Sequence, residues 1–389
     1  MKPTHIMIHY SEIGIKKDNR SFFEDILVRN INDSCKDYIV KTFKRYGRVV
    51  CVLNTSVNTE EIKVILSSIP GISSFSFCFS TNQNLENIKV LSFDLSKFHE
   101  KDFENFRVTS TRSFKKFPLT SQELDRQVGE VIFENLRKKV KLKNPDFEIN
   151  IEVTEKEVFI FSSKDTTQGV SGLPVGSTGN VMCSLSGGID SPVSGFMLNK
   201  RGCKVIYAHI QSNNLVTKEV EEKIFKLCNT LRKFQGRTKL IVIPFSDIQT
   251  KLLMLVPADH RMIIYRRFML RIIQELAIKE NAQAIVTGDS VGQVASQTLE
   301  NISCIYEATT LPVFPPLIGF NKEEIITIAK KIGTYDISII PYPDCCSFMV
   351  AEHPQTRARI EEVKAIEDHI PDKEQLVKDA ILKSKEYFF

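Results

Sequence analysis

No run of this chain is apolar for long enough to cross a bilayer, and 25% of its residues are charged. A transmembrane helix, which takes about 20 consecutive apolar residues, is therefore not expected. The opening MKPTHIMIHY lacks an apolar core followed by small residues. A secretory leader is not expected either, and a cytoplasmic placement is. The nine cysteines include no C-x-x-C pair and no regular spacing. That argues against a disulfide framework and a zinc site, and leaves free thiols in a reducing compartment. Cys51, Cys78 and Cys228 sit among apolar residues and read as small buried hydrophobes. Also missing are G-x-x-x-x-G-K-[ST] and G-x-G-x-x-G, which removes the Walker-type loop and the dinucleotide fingerprint. No internal repeat or low-complexity block occurs. The net charge of +5 permits a polyanionic partner without demanding one.

Against these absences, residues 183–198, CSLSGGIDSPVSGFML, stand out. Val181–Leu185 is short and apolar, as a buried strand is. Pro192 suits the first turn of a helix, and Val193, Phe196 and Met197 give that helix an apolar stripe. Ser186-Gly187-Gly188 thus forms the turn from a strand into a helix N-terminus, where backbone N–H groups and the helix dipole favour a phosphate. Two glycines let the backbone approach that phosphate with no Cβ in the way. An ordinary Gly-rich turn would look the same for Ser-Gly-Gly alone. The six residues Ser-Gly-Gly-Ile-Asp-Ser, however, resemble the pyrophosphate loop of the PP-loop ATPases, which split ATP into AMP and pyrophosphate.

At 389 residues the chain is long enough for two or three domains. Residues 162–180 are rich in Ser, Thr and Gly and read as a linker. Behind it, strands and helices alternate. Strands are expected at 181–185, 204–210, 239–245 and 282–288, and helices at 191–201, 216–234, 259–280 and 292–300. A last helix follows Asn321, an N-cap candidate ahead of Glu323 and Glu324. Such alternation predicts a parallel sheet covered on both faces, with ligands at the carboxyl ends of its strands. The front part reads as two small α+β modules. HIMIHY and RVVCVLN are strands, separated by a helix carrying Phe22, Phe23, Ile26, Leu27 and Ile31. Phe75, Phe77 and Phe79 alternate as on a half-buried strand. A helix starts at Ser121 with Leu124, Val128, Val131 and Val140 as its apolar positions, and FEINIEV and EVFIFS form a hairpin.

The stretches YSEIGIKKDNRSFF (10–23), IPGISSFSF (69–77), RSFKKFPLTSQEL (112–124), SGGIDSPV, TGDSVGQVASQTLENI and IGTYDISIIPYPDCC together resemble the tRNA 4-thiouridine synthetases, or tRNA sulfurtransferases, from about residue 4 to 347. The resemblance implies an α/β PP-loop domain, a doubly wound parallel sheet of the adenine nucleotide alpha hydrolase-like kind, preceded by α+β ferredoxin-like and THUMP domains. The boundaries expected are 1–58 for the ferredoxin-like domain, 59–165 for the RNA-binding THUMP domain, 166–180 for the linker and 181–389 for the PP-loop domain.

The reaction implied replaces a uracil carbonyl oxygen of tRNA by sulfur, at the eighth nucleotide in this family. That oxygen leaves poorly until AMP is transferred to it from ATP. Ser186, Gly187, Gly188, Asp190 and Ser191 are expected at the pyrophosphate, with Asp190 a Mg²⁺-associated carboxylate, directly or through water; a helix N-terminal acid is the plainer reading of Asp190. By the resemblance the nucleotide also touches Ser184, Leu185, His209, Ile210, Arg266, Gly288 and Gln297. Arg266 falls on the apolar stripe of the long helix, where either a phosphate partner or snorkelling would account for it. Gly288 ends a strand where a ligand passes closely. Gln293 and Gln297 are expected one helical turn apart, with solvent exposure as the plain alternative.

Sulfur transfer needs a polarizable thiolate or persulfide. The resemblance implies Cys345 in that role, with Cys346 able to substitute or assist; two structural cysteines are the plain alternative. Longer family members carry a C-terminal rhodanese domain, for which the 43 residues after Cys346 are too few. Sulfur is then expected from a separate carrier, such as a cysteine desulfurase persulfide, or as sulfide. The family's second role, in thiamine thiazole synthesis, is tied to that domain. Lys16, Lys17 and Arg20, and Arg107, Arg112, Lys115 and Lys116 interleaved with Phe114 and Phe117, are the expected tRNA contacts, although basic clusters are more often solvated faces. A homodimer is a further expectation from the family. Against thiolation stand another PP-loop ligase or amidating enzyme, and an RNA-binding module that only senses ATP. No glycine-rich motif suits a methyltransferase.

Overall fold

The computed structural model describes residues 1–45, 47–54, 57–211, 218–341 and 351–389. They divide into two units, Met1–Pro174 and Val175–Phe389.

The front unit runs β1 (His5–His9), α1 (Arg20–Ser34), β2 (Ile39–Arg45), β3 (Arg48–Leu53), α2 (Thr59–Ser68), β4 (Ser74–Thr81), α3 (Leu85–Phe98), β5 (Asn105–Arg112), α4 (Ser121–Leu136), β6 (Lys139–Val140), β7 (Phe147–Val153), β8 (Val158–Ser162) and β9 (Thr166–Gln168). Its sheet has the order β2-β3-β1-β4-β8-β7-β5-β6, with β9 also on β4. β4 serves two cores. Phe75 and Phe77 pack with Ile6, Ile8, Leu27, Ile62 and Leu66, while Phe79 packs with Ile88, Phe106, Val128 and Ile160. The strand is buried on both faces rather than on one, because Cys78 is covered by Met7, Val50 and Phe159 and Ser76 hydrogen-bonds Thr166 at 2.8 Å.

Two apolar positions of the front unit fall elsewhere than expected. Phe22 is 55% exposed; adjacent helical residues lie about 100° apart, and Phe23 takes the inward place. Val140 lies in β6, because α4 stops at Leu136 with Arg137 left-handed at φ 54°. The Ser/Thr/Gly-rich stretch is more ordered than a linker: it contributes β9 and buries Leu173 and Val175. The division between the units falls inside it.

The rear unit comprises β10 (Asn180–Ser184), α5 (Asp190–Lys200), β11 (Lys204–Gln211), α6 (Lys218–Gln235), β12 (Lys239–Pro244), α7 (Ser246–Leu255), α8 (Arg261–Lys279), β13 (Ile285–Val286), α9 (Leu299–Tyr306), β14 (Val313–Phe314), α10 (Lys322–Ile332), α11 (Tyr335–Ser338), α12 (Ile360–Asp368), α13 (Lys373–Leu382) and β15 (Lys385–Phe388). Its sheet order is β14-β13-β10-β11-β12-β15, parallel except where β15 runs against β12. Strand order reverses at β10, and the crevice outside the carboxyl ends of β10 and β13 is the ligand position of such sheets.

α8 lays Ile264, Phe268, Ile272 and Leu276 against Met182, Ile206 and Ile241 of the sheet, each such side chain contributing about 2 kcal/mol by leaving water. Its buried Arg267 donates to both Glu367 oxygens at 2.9 Å, and Arg271 to the same carboxylate at 2.6 Å, which fastens α12 to α8. The capping expectation at Asn321 holds: its side chain accepts from Glu324 N, and Glu324 answers at the Asn321 amide. The helix expected over 292–300 does not form. A 3₁₀ turn occupies Ala295–Gln297, and Thr298 caps α9 by accepting from Asn301 N. Among the described residues no helix is long and apolar enough to cross a membrane.

Candidate active site

A cleft of about 520 Å³ opens at the carboxyl ends of β10, β11 and β13. Every residue expected at the nucleotide lines it: Ser184, Leu185, Ser186, Gly187, Gly188, Asp190, Ser191, His209, Ile210, Arg266, Gly288 and Gln297. The loop after β10 is shaped by its own serines. Ser191 Oγ accepts from Ser186 N at 2.9 Å and lies 3.1 Å from Ser186 Oγ, which itself accepts from Gly188 N at 3.2 Å. Two loop amides are therefore occupied internally. The first turn of an α-helix has no intrahelical acceptors for its amides, so Gly187 and the start of α5 supply the donors left for an anion. His209, buried, donates from Nδ1 to Leu185 O at 2.8 Å and pins the loop to β11. A carbonyl only accepts, so this contact places the ring proton on Nδ1.

The glycines of the cleft act differently from one another. A Cβ on Gly188 would meet the protein at no closer than 3.4 Å, at Ser186 Oγ, so its bareness serves the space outside the loop. A Cβ on Gly288 would sit 3.0 Å from Ser191 N and 3.2 Å from the Asp190 carbonyl carbon. Gly288 thus lies at a close approach between the segment after β13 and the start of α5, in addition to lining the cleft.

Charge is paired across the cleft. Asp190 accepts from Lys322 Nζ at 2.6 Å and from Gln293 Nε2 at 2.9 Å. At the other end, Arg266 is neither unpartnered nor snorkelling: its Nη2 lies 2.7 Å from both oxygens of Asp289. Tyr306 donates to the same carboxylate at 2.7 Å and Gln297 at 3.1 Å, and Tyr306 OH lies 2.9 Å from Thr287 Oγ1. Burial pushes the Asp289 carboxyl up, but the Arg266 charge and the donated hydrogen bonds outweigh it and hold the group below the usual carboxylate range. Burial, and then the Asp289 charge, push the Tyr306 hydroxyl up. Gln293 and Gln297 do not share a helix face; they reach separate carboxylates, Asp190 and Asp289.

Asp289, Tyr306 and Lys322 are the additions the structure makes. The first follows Gly288 directly and the last follows the Asn321 cap, so position at a strand end or helix start was the available signal for both. Among the described residues no group of three or more His, Cys, Asp or Glu is placed to hold a metal. Asp190 is the kind of single carboxylate taken by a Mg²⁺ ion that keeps waters and phosphate oxygens, and both its oxygens here accept from Lys322 and Gln293. Cys345 and Cys346 lie outside the described residues.

The basic clusters of the front unit are only partly available. Arg20 donates to Glu24 at 3.0 Å and Tyr10 OH at 2.6 Å. Arg107 holds Leu142 O at 3.2 Å and Glu148 at 3.4 Å. Arg112 binds the carbonyls of Phe117 and Leu119, and Lys16 lies 5.1 Å from the centre of the Phe23 ring. Phe117 is core, and Phe114 packs against it. Lys17, Lys115 and Lys116 are exposed.

The description "Thiamine biosynthesis protein (ThiI)" belongs to a family model that matches residues 176–371, more than half of the chain. The probable tRNA sulfurtransferase of Thermoanaerobacter sp. (strain X514) is 38% identical over 92% of this chain and 93% of its own. The chain belongs to the tRNA sulfurtransferase (ThiI) family. Within this family assignment, a ThiI ferredoxin-like domain matches residues 5–76 and a THUMP domain 83–163. A second probable tRNA sulfurtransferase, from Acetivibrio thermocellus, is 38% identical over 97% of this chain and 96% of its own. The crystal structure of a 4-thiouridine synthetase–RNA complex with bound ATP superposes over the whole of both chains with a TM-score of 0.91 and 35% identity. The α/β PP-loop unit behind ferredoxin-like and THUMP modules is thus the architecture of the tRNA sulfurtransferases.

Proposed function

We propose that this chain transfers sulfur to tRNA, converting a uridine, the eighth nucleotide by family expectation, to 4-thiouridine at the expense of ATP. The observation that carries the reading is the cleft: a serine-braced glycine loop at a helix N-terminus, at the strand-order reversal, in a member of the tRNA sulfurtransferase family. The uracil 4-oxygen attacks the α-phosphorus of ATP, the bond from that phosphorus to the β-phosphate bridge breaks, and pyrophosphate leaves. Amides of Gly187 and the first turn of α5 hold the departing pyrophosphate, with Ser186 and Ser191 keeping the loop in shape. Mg²⁺, where present, neutralises phosphate charge, and Asp190 is the carboxylate to hold it. A sulfur nucleophile then adds at C4, and AMP leaves as a good leaving group in place of a poor one.

Cys345 is the proposed carrier of the transferred sulfur, with Cys346, another thiol of the chain or an external thiol to resolve it. A cysteine desulfurase or other persulfide carrier is the proposed donor. The experiment is nucleoside mass spectrometry of unmodified tRNA incubated with protein, ATP, Mg²⁺ and sulfide. ATP-dependent 4-thiouridine is the expected product, and Cys345→Ser is expected to abolish transfer from a persulfide donor. Absence of both 4-thiouridine and tRNA-dependent AMP would overturn the reading. The name of the matching family model favours one second reading, sulfur supply to a carrier protein for thiamine thiazole formation. Sulfur appearing on such a carrier in the same assay would support it.

A further inference from the structure

Two buried polar side chains of the rear unit give their hydrogen bonds to backbone on either side of the segment that carries Cys345 and Cys346. Lys223 of α6 is 5% exposed, and its Nζ donates to Ser338 O at 2.9 Å and to Ile340 O at 2.8 Å. Lysine is seldom found in an interior, because its charge loses water there and must be met by hydrogen bonds. Asn301 of α9 is fully buried. Its amide nitrogen donates to Ala295 O and Gln355 O, both at 2.8 Å, and its Oδ1 accepts from Ala358 N at 3.1 Å. Both its N–H groups and its oxygen are thereby used. Thr298 adds a bond to Thr356 O at 2.7 Å, and Gln355 N donates to Asp259 O at 3.0 Å. Asp259, Ala295, Pro354 and Gln355 all line the cleft, so the chain downstream of the cysteines is built into the cleft wall.

We infer that Lys223 and Asn301 are positioning residues that anchor the two ends of the cysteine-bearing segment, and so raise the effective concentration of a Cys345 persulfide at the cleft. The inference rests on the reading of Cys345 as the sulfur carrier and deepens it. In that step the outer sulfur of the persulfide adds to C4 of the adenylated uracil, and AMP leaves with the electron pair of the C4–O bond. A second thiolate then attacks Cys345 Sγ and breaks the S–S bond, so that a disulfide forms on the protein side and the reduced sulfur stays on the base. Both anchors grip main-chain groups, which fixes where the segment starts and ends whatever side chains it bears. Loss of either anchor lengthens the free tether, and a longer tether lowers the effective concentration of whatever it carries. Proximity of the reacting groups is where much of the rate of such a transfer comes from.

The test compares 4-thiouridine formed in unmodified tRNA, with ATP and Mg²⁺, from two sulfur sources: a persulfide-charged cysteine desulfurase, and sulfide, which attacks C4 without a carrier. The ratio of the two yields does not depend on the fraction of protein that is folded, so a purely structural loss leaves it unmoved. Cys345→Ser sets its floor. Lys223→Met and Asn301→Leu, each close in size to the residue replaced, are expected to lower the ratio about tenfold. Lys223→Gln and Asn301→Ser keep polar groups in place and serve the same comparison where the apolar change does not fold, with an expected fall of about threefold. An unchanged ratio at either position would overturn the inference while leaving the Cys345 reading in place. An unchanged ratio in Cys345→Ser would overturn both.

Discussion

The front and rear units put similar side chains to opposite uses. In the front unit Arg20, Arg107 and Arg112 are engaged by carbonyls, carboxylates and a tyrosine of their own fold, and the exposed lysines of those clusters are the more available to a partner. In the rear unit the charges meet in opposed pairs around an open cleft, and the proposed anion site is made by backbone. A cluster of basic letters therefore says little about what is available to RNA, whereas a glycine loop at a strand end says a great deal about where a phosphate can sit.

The rear unit is the more sensitive to breakage. Gly288→Ala brings a Cβ to 3.0 Å from Ser191 N and 3.2 Å from the Asp190 carbonyl carbon, and a displacement of the loop by a few tenths of an ångström is expected to cut ATP-dependent thiolation by about tenfold. Circular dichroism should show the fold retained. Glu367→Ala removes the buried carboxylate shared by Arg267 and Arg271 and leaves Arg267 with Glu307 alone, and is expected to cost about 2–3 kcal/mol in chemical denaturation of the rear unit.

Front-unit changes separate structure from binding. Arg112→Ala removes charged hydrogen bonds to Phe117 O and Leu119 O and is expected to destabilise that unit by about 1–2 kcal/mol. The Lys115→Ala/Lys116→Ala pair should leave stability unchanged and make the slope of log K against log salt for tRNA shallower by roughly 1 to 2. Equal effects of the two on the salt slope would erase the distinction between inward arginine and outward lysine. The smallest effect is on pH dependence. Burial, and then the Arg48 charge, push His9 down to about 4 from its ordinary 6.5. The unfolded chain then binds the proton first, so this contribution is whole above pH 6.5 and declines as pH falls toward 4, measurable as a falling unfolding midpoint.

Much of the architecture was legible because its signals are local. The strand before Ser186, the cap at Asn321 and the start of the helix at Ser121 each depend on a few neighbouring residues. The helix expected over 292–300 was not legible, since Gln293 and Gln297 carry helical spacing while Asp190 and Asp289, distant in sequence, draw their side chains to different places. The second buried face of β4 was hidden for a similar reason: Ser76 alternates with the phenylalanines and looks solvent-facing until β9 is brought beside it. At the site, the cleft-lining residues came from motif resemblance, but the partner of Arg266 had to be seen, because nothing in the spacing of an arginine and a carboxylate 23 positions apart declares that they meet.

β15 pairs with β12, and Phe389 exchanges backbone hydrogen bonds with Thr238 at the foot of the same ladder. During synthesis, the edge of β12 must wait for residues 245 to 384 to be made, roughly 7 to 28 s at ordinary elongation rates. For that interval a nascent chain presents the apolar strand Lys239–Pro244 with its outer row of amides and carbonyls uncovered, a template for pairing with other chains. β15, made after the other strands of its sheet, closes that edge against neighbouring chains once it pairs with β12.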